Sequence, residues 1–136
     1  MLSFPLEMKD MPKVLLIEDD LDIRETLKMI LELEGYQVWT AQNGQLGLDH
    51  LIQHPDHPDL ILLDLMMPVM NGYEFLEKKN LLTADLKVIP VVVLSAISPL
   101  VPTLSGAQEV LKKPFEIKVL LDTLRKYTSQ QSKQPC

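Results

Sequence analysis

Five short apolar runs constrain the fold of this chain more than any other feature: KVLLIE at 13–18, YQVWTA at 36–41, DLILLD at 59–64, PVVVLS at 90–95 and EVLKK at 109–113. The first, third and fourth are continuously rather than alternately hydrophobic. Strands of that kind need cover on both faces, which helices packed on a parallel sheet provide. Between the runs lie segments of helical period. In LDIRETLKMILELEG, Ile23, Leu27, Ile30 and Leu31 fall on one stripe, and Gly35 supplies a stop. In FEIKVLLDTLRKYT the stripe is Ile117, Leu120, Leu121, Leu124 and Tyr127. Glu116 stands in its first turn and Arg125 and Lys126 in its last, as the helix dipole favours. Segments 44–53 and 72–82 carry a weaker pattern of the same kind. This alternation predicts an α/β fold, a doubly wound five-stranded parallel sheet with helices on both faces.

One interval breaks the rhythm. Between Ser95 and Val110, AISPLVPTLSGAQE carries Pro99 and Pro102, and neither fits inside a regular helix. The fourth helix, expected there, is therefore short, irregular or missing. The chain reads as an N-terminal extension (1–12), one folded domain (13–127) and a polar C-terminal tail (128–136) expected to be disordered. At 136 residues, a core can be buried without disulfides or a structural metal. The sole cysteine, Cys136, is the last residue, so no internal disulfide forms, and a reducing cytoplasm is the expected compartment. The opening MLSFPLEMKDMPK lacks the basic-then-apolar order of a signal peptide, and no apolar run nears the roughly 18 residues of a membrane span. A net charge of −6 argues against direct nucleic-acid binding, whose affinity comes mainly from phosphate contacts.

Ligands of doubly wound sheets sit outside the carboxyl ends of the strands, where strand order reverses. Glu18 and Asp19 close the first strand and Asp64 closes the third. If those strands are neighbours, three carboxylates meet. Like charges at 4 Å repel by about 4 kcal/mol at an effective dielectric near 20, so such a cluster needs a cation or raised pKa values. Oxygen donors without His or Cys suit Mg²⁺ better than zinc or copper. Each acid alone has a plainer reading, and Asp20 reads as the N-cap of the following helix. Ser95 ends the fourth strand and Lys113 the fifth, just before Pro114. Singly these are a turn former and a solvated lysine. Together the strand ends offer acids, a hydroxyl and an ammonium at one rim, a set suited to phosphoryl chemistry.

The segments VLLIEDDLDIR, LILLDLMMPVMNGYEF, VVVLSA and LKKPF resemble, in order and interval, the motifs of bacterial response-regulator receiver domains. The resemblance spans roughly residues 13–127. It implies a flavodoxin-like strand order of 2-1-3-4-5 and a single-domain regulator in two-component phosphorelay signalling. By this resemblance Asp64 would accept a phosphoryl group from a sensor histidine kinase or a histidine phosphotransfer protein. Mg²⁺ would be held by Asp19 and Asp64, by the backbone carbonyl of Met66, and by Glu18 through water. Lys113 would pair with Asp64 and later with the phosphoryl group, toward which Ser95 would swing, while Pro68 and Gly72 shape the loop presenting Met66. Output would pass to a downstream protein target in the cytoplasm, with no direct nucleic acid and no membrane insertion. The chain would be a signalling phosphoacceptor rather than a metabolic enzyme. Its oligomeric state is left open.

Two departures from the resemblance concern the output face. Val110 stands where an aromatic is usual, three residues before the lysine, and the 96–109 interval is about four residues shorter than usual. By the same resemblance to receivers, apolar Met66 and Ile97 would flank the hydrolytic water, predicting slow loss of phosphate from Asp64. Two other functions compete. A phosphohydrolase with Asp64 as nucleophile, of the haloacid-dehalogenase type, would want an acid where Met66 stands. A phosphorylation-independent binding module on the same fold is disfavoured by the full set Glu18, Asp19, Asp64, Ser95 and Lys113. His50, His54 and His57 are read as solvent-facing, and most methionines as core filler.

Overall fold

The three unbroken apolar runs become the three interior strands of one sheet. The computed structural model describes residues 11–96 and 106–132, with side chains as far as residue 128. The strands are β1 (Lys13–Ile17), β2 (Gln37–Ala41), β3 (Leu60–Asp64), β4 (Val91–Ser95) and β5 (Glu109–Lys112). All pair in parallel, in the order β2-β1-β3-β4-β5. Every residue of β3 and β4 is buried, whereas the edge strands β2 and β5 carry partly exposed positions. Continuous hydrophobicity thus marks strands covered on both faces.

The helices are α1 (Leu21–Leu33), α2 (Gly44–Gln53), α3 (Gly72–Lys79), α4 (Ala84–Lys87) and α5 (Ile117–Ser132). Alternate side chains of each strand enter two separate cores, as a period of two requires. On one face Leu15, Ile17, Ile61, Leu63, Val91 and Val93 pack with residues of α2, α3 and α4. On the other, Val14, Leu16, Leu62 and Leu94 meet Leu27 and Leu31 of α1 and Leu120 and Leu124 of α5. Helix starts follow side-chain caps: Asp20 accepts from Ile23 N at 3.0 Å, and Asn43 from Leu46 N at 2.8 Å. At α3, Asn71 and Glu74 form a capping box. Gly35, at φ 100°, terminates α1 in the left-handed conformation that a side chain resists.

Several expectations need correction. The helix expected over 72–82 stops at Lys79, and a separate short helix, α4, follows Thr83. Asn80 caps the first, and the chain must turn back toward the sheet before Pro90. The stretch assigned to a polar tail begins as helix, because α5 runs to Ser132. No glycine or proline interrupts the sequence between Pro114 and Pro135. The expected short or irregular fourth helix falls on residues 97–105, which lie outside the described residues, as do residues 1–10 of the expected extension and 133–136 of the tail. The histidines are not simply solvent-borne. His50 and His54 stack on one another and meet Trp39 at a tilt of 45°, because a helical spacing of four places them one above the other beside the edge strand. His57 lies 3.8 Å from Asp85, and His54 Nδ1 lies 3.1 Å from the Asp56 backbone. Among the described residues, no helix is long and apolar enough to cross a membrane.

Candidate functional site

Because β1 lies between β2 and β3, the carboxyl ends of β1 and β3 are adjacent. The register pairs Ile17 with Leu63, so Glu18 and Asp64, one residue on, stand side by side. The backbone of Glu18 continues the ladder by donating from N to Ala41 O at 3.0 Å. Glu18, Asp19 and Asp64 each offer an oxygen, and these oxygens lie within 4.8 Å of one another. Glu18 and Asp64 are buried, whereas Asp19 is exposed. This cluster is the one acidic or histidine-containing group of three or more found among the described residues.

Lys113 follows β5, its backbone N donating to Ser95 O at 2.7 Å. That bond brings the ends of β4 and β5 together at the same rim. The Lys113 ammonium lies 3.4 Å from Glu18 Oε1 and 3.9 Å from Asp64 Oδ1, so it leans toward Glu18 rather than pairing with Asp64 alone. Ser95 is fully buried at the end of β4. The Met66 N–H donates to Asp64 Oδ1 at 3.3 Å, and its side chain is 58% exposed. The other apolar residue expected beside the site, Ile97, lies outside the described residues. Val110 is partly buried against the core face that also holds α2 and α3.

The electrostatics show what such a cluster entails. Burial, reinforced by the charge of Asp64, pushes Glu18 up to about 7, against the Asp20 N–H and Lys113, which favour its anion. Asp64 is also raised, chiefly by burial, with Lys113 opposing. Both carboxyls are thus drawn toward their protonated forms, and the pair titrates as a unit rather than as two independent acids. Oxygens bound to one Mg²⁺ at about 2.0–2.1 Å lie no more than about 4.2 Å apart. A 4.8 Å cluster needs only slight contraction to fit. The donor set, all oxygen and part exposed, agrees with that ion.

One feature escapes a reading of the sequence. Arg24 Nη1 donates to Glu18 O at 2.9 Å and reaches Asp19 O at 3.5 Å, clamping the backbone that carries both acids. Its signal was available: a base in the opening turn of α1 opposes the helix dipole and needs another reason to be there. Gly72, expected to shape the loop presenting Met66, makes a close approach there. A Cβ at that position would stand 2.7 Å from Leu65 Cα and 2.9 Å from Asp64 O, and its N–H donates to Leu65 O at 2.8 Å. Only a residue without a side chain lets α3 begin so close to Asp64.

Comparison with known proteins agrees with this geometry. The response regulator receiver domain profile matches residues 14–125. The chain is 34% identical over 114 residues to "Response regulator MprA" of Mycolicibacterium vanbaalenii, covering 83% of this chain and 48% of that protein. It is 33% identical over 116 residues to "Sporulation initiation phosphotransferase F" of Bacillus subtilis, covering 85% of this chain and 92% of that one. The chain spans about half the length of several of the curated regulators it matches. Among solved structures, the response regulator TrrA of Thermotoga maritima, in complex with Mg²⁺-BeF, superimposes with a TM-score of 0.75 at 31% identity, covering 86% of this chain and 99% of that one.

Proposed function

The chain belongs to the response regulator receiver domain family, and from that premise we propose that Asp64 is its phosphoacceptor. One observation carries the reading: three carboxylate oxygens within 4.8 Å, with the Lys113 ammonium 3.4 and 3.9 Å from two of those residues, all at the carboxyl rim of the sheet. In the reaction a carboxylate oxygen of Asp64 attacks the phosphorus of a donor phosphohistidine. An O–P bond forms, the N–P bond breaks, and the imidazole leaves with the electron pair. Aspartate is a sufficient nucleophile once ionised, so no general base is required. Repulsion between anions is the obstacle. Mg²⁺, held by Asp19, Asp64, the Met66 carbonyl and, through water, Glu18, would supply positive charge for the cluster and the incoming group.

The chain's own residues do the rest. Lys113 stands where it can leave Asp64 for a phosphoryl oxygen as negative charge moves outward. Ser95, at the neighbouring strand end, supplies a hydroxyl for another oxygen, and Arg24 keeps the Glu18–Asp19 backbone in place. Apolar Met66, paired with Ile97 in the sequence, offers nothing to orient a hydrolytic water, which favours a long-lived phosphoryl group. The same Met66 leaves an aspartate-nucleophile phosphohydrolase without its acid. The donor is a sensor histidine kinase or a histidine phosphotransfer protein, the product switches contacts with a downstream protein, and the setting is the cytoplasm. The test is intact-mass measurement after incubation with a small acyl-phosphate donor and Mg²⁺. One phosphate on the native chain and none on Asp64→Asn supports the assignment; equal labelling of both refutes it.

A further inference from the structure

Residues 65–71 join β3 to α3 and carry the Met66 carbonyl. Met67 and Met70 bury their side chains in the core beneath α2 and α3, while Met66 and Val69 are exposed. At the tip the Met70 N–H donates to Pro68 O at 2.7 Å, closing a three-residue turn centred on Val69. Val69 holds a φ of 69° there, which a β-branched side chain resists. Strain of this kind persists only where the surroundings over-determine it, and it gathers at functional sites. The turn therefore needs a hold from outside the loop.

α2 supplies that hold. Its first residue, Gly44, donates its N–H to Met70 O at 3.3 Å. This N–H is one of the donors for which a helix start has no internal partner. A Cβ on Gly44 would stand 2.7 Å from Met70 O, 3.0 Å from its Cγ and 3.1 Å from its Cβ. Any side chain there would drive the Met70 backbone off by about 0.7 Å before ordinary contact was restored. Gly44 lacks the positive φ of Gly35 and Gly106, and glycine is among the weakest helix formers. Close approach of α2 to the loop is what accounts for it.

We propose that Gly44 is a positioning residue for phosphoryl acceptance: by letting α2 lie against Met70 it keeps the Val69 turn closed and so fixes the Met66 carbonyl at the acidic rim. The inference rests on the reading of Met66 O as a Mg²⁺ ligand. The path from Gly44 to that carbonyl is short. Pro68 accepts from Met70, Met66 stands two residues before Pro68, and the Met66 N–H is itself bound to Asp64 Oδ1 at 3.3 Å. Pro68 has a fixed φ and confines Met67 to extended backbone, so a displacement at Met70 reaches Met66 with little to absorb it. Mg²⁺ demands near-ideal octahedral geometry, whereas Ca²⁺ accepts variable, looser coordination. A carbonyl moved by the opening of the turn therefore costs Mg²⁺ affinity more than Ca²⁺ affinity.

The experiment titrates MgCl₂, and separately CaCl₂, into the isotope-labelled full chain and into Gly44→Ala, following the amide NMR signals of Asp19 and Met66. Gly44→Ala is expected to bind Mg²⁺ about tenfold more weakly, the lower end of what groups supporting a metal ligand contribute, and to lose less toward Ca²⁺. Its Met66, Val69 and Met70 amides are expected to be displaced already in EDTA. Leu51→Ala, which opens a hole beneath the same helix, lowers the thermal midpoint and leaves Mg²⁺ affinity unchanged. In case Gly44→Ala does not fold, the native chain gives a second reading. Coupling is reciprocal, so Mg²⁺ must tighten the clamp and slow hydrogen exchange at the Gly44 amide, by about fivefold or more. Equal Mg²⁺ affinity in Gly44→Ala, an equal loss in Leu51→Ala, or a Gly44 amide indifferent to Mg²⁺ overturns the proposal while leaving the metal site standing. A native chain whose Asp19 and Met66 signals ignore Mg²⁺ refutes the metal site, and the proposal with it.

Discussion

Replacing Asp64 with asparagine removes one charge from a crowded rim, and the structure sets the size of the effect. At the 4.8 Å limit of the cluster, two ionised carboxylates repel by about 3.5 kcal/mol at an effective dielectric near 20. Asp64 has two such neighbours, hence about 7 kcal/mol of repulsion if all three ionise. Lys113, at 3.9 Å, returns about 4 kcal/mol of attraction. The upward shift of Glu18 lets protonation relieve part of one repulsion, and water screens the exposed Asp19. Desolvation of the buried Asp64 adds to the unfavourable side. What remains is a net penalty, so Asp64→Asn is expected to raise stability by about 1–3 kcal/mol in metal-free buffer. Lys113 loses little, because Glu18 is its nearer partner. Mg²⁺ at a hundred times its dissociation constant stabilises the native chain by about 2.7 kcal/mol and a variant lacking a ligand by less. The advantage of the variant should therefore shrink or reverse when Mg²⁺ is added. Urea unfolding followed by circular dichroism, in EDTA and in Mg²⁺, measures both quantities. A variant less stable than the native chain in EDTA, or one whose advantage is indifferent to Mg²⁺, would refute the electrostatic reasoning.

Other perturbations test separate parts of the structure. Lys79 is buried at the end of α3, its ammonium donating to Lys87 O at 2.7 Å, and burial pushes its pKa down to about 8. Below that pH both states carry the charge and the folded state bears the full desolvation penalty. Between about 8 and 10.5 the folded state has released the proton while the unfolded chain keeps it, so stability rises with pH across that window by roughly 3 kcal/mol. Lys79→Met should abolish this rise in paired urea melts at pH 7 and 10; an unchanged slope would remove the buried charge from the account. Val69, in the loop after Pro68, holds a φ of 69°, where a β-branched side chain is strained. Val69→Gly should stabilise by up to about 1 kcal/mol, the relief exceeding the extra freedom of glycine in the unfolded chain. A lower thermal midpoint for that variant would count against the strain. Gly72→Ala places a methyl 2.7 Å from Leu65 Cα, so α3 must shift away from Asp64. We expect a loss of about 1–3 kcal/mol and slower phosphorylation in the intact-mass assay, with normal rates arguing that the loop adapts freely.

Much of the site was legible because its residues end periodic segments. A run such as LILLD announces its own covered strand, and the acid at its end is placed at the rim by strand polarity alone. The Asp20 cap was equally local, since a cap acts on the turn that follows it. The reach of that logic ends where chains cross. That Glu18 stands beside Asp64 depends on β1 lying between β2 and β3, and no spacing within either segment carries that fact. The resemblance to receivers supplied the order; packing of two cores on opposite faces realises it.

By itself, then, the sequence determined element type, direction and the chemistry waiting at each strand end, because backbone hydrogen bonding and side-chain period act over a few residues. Tertiary structure alone decided who meets whom. It turned Lys113 toward Glu18, aimed Arg24 at the carbonyls beneath the acids, buried the ammonium of Lys79 and stacked His50 on His54 against Trp39. Each of those depends on lateral strand order and on how a helix rolls over the sheet, and these are settled by the simultaneous burial of residues far apart in the chain.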